Sequence, residues 1–253
     1  MNKILEVKQL SKIYDEFSLN PIKALKGIDF SMNDGDFVCV MGPSGAGKST
    51  FLNCISLVDK VSSGQINMFG RELAGLSIDE IAEFRHKNVG IIFQDINLLN
   101  YLTIFDNIAI PLALYNETKE RIKTKIDKLA KIMEIESLLN KYPFECSGGQ
   151  KQKIAICKAI INDSKLIIAD EPTGNLDSDN THELMKLFVE LNRQGKSILI
   201  VTHDPMVASY SNKMIYIKDG LIQGEINRNG HNQTEYYYKI VKMTSKESLK
   251  ILK

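Results

Sequence analysis

Gly42, Pro43, Ser44, Gly45, Ala46, Gly47, Lys48 and Ser49 follow the spacing G-x-x-x-x-G-K-[ST], and Thr50 comes next. Glycines at these places let a backbone wrap closely around phosphate so that successive N–H groups point inward. The helix expected to start here adds favourable potential for an anion. Lys48 would reach the β- and γ-phosphates of a bound nucleotide, Ser49 would give its hydroxyl to Mg2+, and Thr50 would contact the α-phosphate. A glycine turn with a chance lysine is the plain alternative.

Two further segments carry chemistry that this loop lacks. In LIIADE, four apolar residues of a buried strand deliver Asp170 and then Glu171 to its end. Asp170 suits Mg2+, held through a coordinated water, and Glu171 suits the polarisation of an attacking water toward the γ-phosphate. In CSGGQ, Cys146 to Gln150, Ser147 reads as the cap of the helix KQKIAICKAI, and Gly148 and Gly149 expose N–H donors at its positive end. One chain needs a single phosphate loop per nucleotide, so this second anion site is read as gripping the γ-phosphate held by another copy. An ordinary capped helix is the alternative there.

Elements must hold these residues. Ile4 to Leu10 and Ala24 to Met32 look like strands, followed by a compact apolar strand from Phe37 to Met41 that leads into the glycine loop. FLNCISLV, after the loop, has the spacing of a buried helix. Further compact strands are expected at Asn88 to Phe93, Leu166 to Ala169, Ser197 to Val201 and Met214 to Ile217. Helical segments separate most of them, which implies a mainly parallel, helix-covered α/β sheet. Residues 96–165 do not fit that alternation. They carry ETKERIKTKIDKLAKIMEIESLL, an amphipathic helical pattern, and read as a helical subdomain inserted into the sheet domain. Its charges read as a solvated face without a ligand. The sheet domain is expected over residues 1–226. Residues 227–253 are polar and then basic, with the cluster Tyr236, Tyr237, Tyr238, and form an appended helix or tail. It either docks on the protein's own body or meets a membrane partner or anionic lipid.

The composition narrows the partners. The 253 residues are 43% hydrophobic and 25% charged, ordinary for a globular chain with a substantial core. Thirty-two Lys and Arg against 31 acids leave a net charge of +1, so no global positive field draws the chain to nucleic acid. Cys39, Cys54, Cys146 and Cys157 lie far apart without a C-x-x-C pair and read as small hydrophobes. The start, MNKILEVKQLSKIY, alternates apolar and polar residues where a signal peptide needs an apolar stretch. No run approaches the roughly 18 apolar residues of a membrane span, and a cytoplasmic chain is expected.

In order and separation, the phosphate loop, IIFQD with Gln94, CSGGQ, LIIADE, GNLD with Asp177 and VTHD with His203 resemble the ATP-binding subunit of an ABC transporter, over about Ile4 to Gln223. The resemblance implies a P-loop NTPase core with an N-terminal antiparallel β part. It places Gln94 at the hinge between sheet and helical subdomain, touching Mg2+ and the attacking water. Asp177 would communicate across a dimer, His203 would contact the γ-phosphate, and Tyr14 would stack on adenine. Cys146 stands where Leu is usual, and Lys153 and Lys158 where Arg is common. The first change removes no phosphate donor, whereas Lys153 lacks the guanidinium fork.

FQDINLLNYLTIFDNIAIPL, DEPTGNLDS and VTHDP look like the branch of macrolide exporters, lipoprotein-releasing machines and cell-division regulators. ASYSNKMIYIKDGLI and the aromatic extension are similar to bacitracin-type systems. The resemblance therefore implies an ATPase that dimerises around two ATP and drives a separate integral membrane permease, at the cytoplasmic face of a bacterial membrane, with a sensor kinase as a further partner. The alternatives are a regulatory partner of a membrane protein controlling a kinase or cell-wall hydrolase without transport, or a macrolide-export or lipoprotein-release ATPase. DNA-repair relatives need a long coiled coil, which is absent here, and ribosome-acting relatives usually carry two ATPase units in one chain.

Overall fold

The structure, a computed structural model, describes residues 2–249. Two sheets share the core. Strands β1 (Lys3–Tyr14) and β2 (Ile22–Asn33) form a long antiparallel pair, extended by β4 (Ser63–Met68) and β5 (Arg71–Glu72) in the order β2-β1-β4-β5. β1 and β2 run well past the expected Ile4 to Leu10 and Ala24 to Met32. Register shifts between Val7 and Ser11, with Gln9 at φ 49° and Gly27 at φ 94°, carry the pair through its polar stretch. Asp29 accepts the displaced Gln9 N–H at 2.8 Å.

The second sheet has the order β10-β9-β3-β8-β7-β6. Strands β3 (Phe37–Met41), β6 (Val89–Ile92), β7 (Leu166–Asp170), β8 (Ser197–Val201) and β9 (Lys213–Lys218) are parallel. β10 (Leu221–Asn227) closes one edge antiparallel to β9. The compact strands read from sequence therefore lie in one mainly parallel sheet, and β4, β5 and β10 are additions to that reading.

The apolar runs have a physical cause in the layering. Leu166 and Ile168 of β7 and Leu199 and Val201 of β8 pack toward the antiparallel sheet and helix α1 (Lys48–Ile55). Their neighbours Ile167, Ala169, Ile198 and Ile200 pack on the opposite side with α3 (Ile104–Ala113), α5 (Gly148–Ile160) and α6 (Ser178–Arg193). A strand buried on both faces has no polar alternation. Helix α2 (Ile78–Asn88) was not read from periodicity, although Ser77 and Glu80 form a reciprocal capping box.

Helices α3, α4 (Lys119–Met133) and α5 occupy the chain between β6 and β7. In α4, Ile122, Ile126, Ala130 and Met133 are buried at helical spacing, and Glu134, at φ 57°, ends the helix in the left-handed conformation. Pro205–Ala208 forms the short α7, and α8 spans Gln233–Leu249. Tyr236 and Ile240 of α8 are fully buried against Cys39, Met41, Ala208, Met214 and Tyr216, and the Tyr236 hydroxyl donates to the Ile226 carbonyl at 3.1 Å. Over its described part the tail docks on the protein's own body, and residues 250–253 of the expected tail lie outside the described residues.

The four cysteines are free and buried. Burial pushes the Cys54 and Cys157 thiols up to about 11 and about 12. Among the described residues no helix is long and apolar enough to cross a membrane.

Candidate functional site

Strand β3 is buried throughout and ends at Met41, and the chain leaves the sheet at Gly42. A Cβ on Gly42 would lie 2.0 Å from the Ile217 carbonyl oxygen, and one on Gly47, at φ 96°, would lie 2.6 Å from the Ala24 carbonyl oxygen. Only glycine fits either place. Pro43, Ser44 and Gly45 are exposed at the crest of the loop, whereas Ala46 is buried and its carbonyl accepts the Gly220 N–H at 3.1 Å. The Lys48 ammonium bends back over the loop and donates to the carbonyls of Gly42 and Pro43, each at 3.0 Å. Gly47 caps α1 without a side-chain acceptor, and the first turn holds no acid. The first N–H groups of α1, at Lys48, Ser49 and Thr50, are thus left for an anion.

Because β3, β8, β7 and β6 are adjacent and parallel, their carboxyl ends bring four predicted segments to one edge of the sheet. Asp170 ends β7 beside Ser49. Burial pushes its carboxyl up, with the Ser49 hydroxyl and the Lys48 ammonium working the other way. Among the described residues its Oδ1 is buried without a hydrogen-bond partner. A carboxylate oxygen left bare beside a hydroxyl is a poor structural arrangement but a good half-site for a hard cation.

Glu171 follows at φ 44° and donates its N–H to the Val201 carbonyl at 2.9 Å. That left-handed turn swings its side chain away from the line of the strand. Its Oε1 lies 2.9 Å from Nδ1 of His203, which comes from the adjacent end of β8. Gln94, two residues beyond β6, is exposed and makes no side-chain hydrogen bond among the described residues.

Among the described residues, the CSGGQ segment makes no hydrogen bond to the phosphate loop of its own chain. Ser147 caps α5: its hydroxyl accepts the Gln150 N–H at 3.3 Å, and Gln150 Oε1 accepts the Ser147 N–H at 3.0 Å. Gly148 and Gly149 open the helix against the start of α6, where a Cβ on Gly149 would lie 2.8 Å from Asn180 Oδ1. Asp177 caps α6 and holds both the N–H and the side-chain amide of Asn180, at 2.8 and 2.7 Å. The Asn180 N–H draws the exposed Asp177 carboxyl below its ordinary pKa. Asn180 thus links Asp177 to Gly149, a link invisible to motif reading.

Lys153 and Lys158 take separate roles. Lys153 lies 3.6 Å from the Glu183 carboxylate, while Lys158 donates to the Asn97 carbonyl at 2.8 Å, and burial lowers its pKa. Cys146 is buried with its thiol 3.6 Å from the Tyr142 carbonyl oxygen. Tyr14 sits at the end of β1 beside Thr50, and its hydroxyl donates to Asp59 Oδ2 at 2.9 Å. Sequence reading missed Asp59, 45 residues away.

Residues 25–174 match the family model described as ABC transporter. The ABC transporter ATP-binding protein YxdL of Bacillus subtilis is 46% identical, over 97% of this chain and 95% of its own length. The bacitracin export ATP-binding protein BceA of Halalkalibacterium halodurans is 40% identical, over 94% of each chain. Among solved structures, a dimeric ATP-binding cassette in a post-hydrolysis state, bound to ADP and Pi, superposes with a TM-score of 0.82 at 35% identity, over 88% of this chain and 98% of that one.

Proposed function

We propose that this chain, which belongs to the ABC transporter family, works as the ATPase of a transporter whose membrane-spanning part is a separate permease. The observation that carries the reading is the convergence, on one sheet edge, of the Lys48 loop, the bare Asp170 oxygen beside Ser49, and the Glu171–His203 pair. Gly42 to Thr50 would hold the phosphates of ATP through loop and helix N–H groups, with Lys48 turning from its two carbonyl partners to the β- and γ-phosphates.

Ser49, Asp170 and Gln94 would hold Mg2+, and hydroxyl, carboxylate and amide oxygens are the donors that this hard cation takes. Bound there, Mg2+ would neutralise charge on the transferring phosphoryl group. Glu171 would accept the proton of the attacking water, and His203 would hold the γ-phosphate within reach of that carboxylate. Tyr14 would stack on adenine.

Among the described residues, Ser147 to Gln150 make no hydrogen bond to their own phosphate loop, which supports their action in a second copy. Two chains would then enclose two ATP, closing on binding and opening on hydrolysis, with Asp177 relaying between the two sites through Asn180 and Gly149. In this reading residues 1–226 form the ATP-binding domain, 96–165 its inserted helical subdomain and 227–253 the extension, placed at the cytoplasmic face of a bacterial membrane. Likeness to the bacitracin exporter supports antimicrobial peptides as the cargo that the permease exports, detoxifies or senses.

The test is to isolate tagged Glu171→Gln protein with ATP and Mg2+ from gently solubilised native membranes, and to identify its companions by mass spectrometry. A permease with a large extracytoplasmic domain is expected, with or without a sensor kinase. Ribosomal or DNA-bound proteins without a permease would overturn the transporter reading.

A further inference from the structure

Tyr14 is held from two directions. Asp59 lies just beyond α1, and its carboxylate is divided: Oδ2 accepts the Tyr14 hydroxyl at 2.9 Å and Oδ1 accepts the Lys12 ammonium at 2.7 Å. Lys12 also donates to the Lys60 carbonyl at 2.7 Å and stands over one face of the Tyr14 ring, 4.8 Å from its centroid. Ser62 completes the fastening: its Oγ accepts the Ile13 N–H at 2.9 Å, and its own N–H donates to the Ser11 carbonyl at 2.9 Å. Residues 59–62 are therefore strapped along the end of β1.

These contacts differ from an ordinary surface ion pair. Lys12 is only 9% exposed, so its charge is taken largely out of water and depends on Asp59 for compensation. An ammonium in that position covers one ring face by a cation–π contact, and the hydroxyl bond anchors the far end of the side chain, so the ring cannot swing away from the strand. A shelf fixed before the ligand arrives spares the ordering cost of binding. The strap leaves the far end of α1, while the Tyr14 hydroxyl also meets Thr50 in the first turn of that helix, so the ring is fixed against the same rigid element that carries Lys48 and Ser49.

We propose that Asp59 and Lys12 are positioning residues for nucleobase recognition: they fix the Tyr14 ring and close one of its faces, so that adenine stacks on the other. This rests on the reading of Tyr14 as the residue that receives the base. Neither residue touches the nucleotide; both act through the ring.

The test compares ATP hydrolysis with inhibition by inorganic tripolyphosphate, which fills the phosphate loop but has no base. Asp59→Ala is expected to raise KM for ATP roughly 3- to 10-fold, the range for one lost hydrogen bond, with kcat and tripolyphosphate inhibition unchanged. Asp59→Asn keeps an oxygen for the Tyr14 hydroxyl and should recover part of the loss. In a Tyr14→Ala background, Asp59→Ala should add nothing.

An equal loss of ATP and tripolyphosphate binding would make Asp59 a prop of α1 and overturn the proposal, as would an unchanged KM. Should Asp59→Ala fail to fold, Asp59→Asn and Lys12→Met carry the same comparison. Tyr14→Ala separates the two layers of the argument. If it leaves KM for ATP unchanged, the base-stacking reading falls. If it raises KM while the Asp59 and Lys12 variants do not, only the positioning role falls.

Discussion

Oε1 of Glu171 and Nδ1 of His203 meet at 2.9 Å from two neighbouring parallel strands. Their environments differ: the glutamate side chain is 14% exposed and the histidine side chain 75% exposed. The pair therefore has a sheltered member and one that reaches outward. That asymmetry suits the proposed roles, a base held in place and an imidazole free to reach a phosphate.

Glu171→Gln should lower kcat by about 10²- to 10⁴-fold, the usual contribution of a general base, with ATP affinity retained. The amide preserves the size of the side chain and its contact with His203 while losing the ability to take a proton. Because the two side chains touch, the double variant Glu171→Gln/His203→Ala should be no slower than the slower single variant. Single-turnover kinetics with radiolabelled ATP measures this. Multiplicative losses would show that the two residues act independently.

Asp170→Asn should separate stability from activity. Burial disfavours the charged carboxylate, and its Oδ1 has no partner, so the neutral amide removes a folded-state penalty. The nucleotide-free variant should melt at or above the wild-type temperature while Mg2+-dependent hydrolysis is lost. Differential scanning calorimetry beside a phosphate-release assay decides it. A clear fall in melting temperature would make Asp170 a structural residue.

The course of the glycine loop was legible because its residues are consecutive, and a strand before it with a helix after it leaves the backbone one course. The parallel strands were legible because burial on both faces writes an uninterrupted apolar run. β4 was not, since its Ser63, Gly64 and Gln65 are exposed and only Ile66 and Met68 are buried. Its place comes from pairing with β1, which no local pattern records. The same limit hid Asp59 and Asn180, whose partners are chosen by the closing of the tertiary structure. In the tail, three consecutive tyrosines look alike, yet helical geometry buries Tyr236 and leaves Tyr238 65% exposed.

Tyr236 should be the residue that holds α8 in place. Truncating a fully buried aromatic typically costs about 3–5 kcal/mol, so Tyr236→Ala should sharply lower the melting temperature. Tyr236→Phe keeps the ring and loses the hydroxyl's bonds to the Ile226 carbonyl and to Ser211, for about 1–2 kcal/mol. Tyr238→Ala should change stability little. Urea unfolding of the three variants gives the ranking, and equal losses at Tyr236 and Tyr238 would contradict this packing of α8.

Gly42 and Gly45 both lie in the phosphate loop, but alanine should affect them differently. At Gly42 the new methyl would stand 2.0 Å from a backbone carbonyl oxygen of β9, which can yield only if β3 and β9 separate. At Gly45, φ is 75° and nothing lies within 4 Å of the added carbon, so the cost is the left-handed strain alone, about 1–2 kcal/mol. Gly42→Ala should therefore be poorly folded even without nucleotide, and Gly45→Ala folded with a modestly lower melting temperature. Circular dichroism melts of the nucleotide-free proteins test the contrast. Equal stability would mean that the end of β3 is not pinned against Ile217, and that the loop can move away from the sheet without disturbing it.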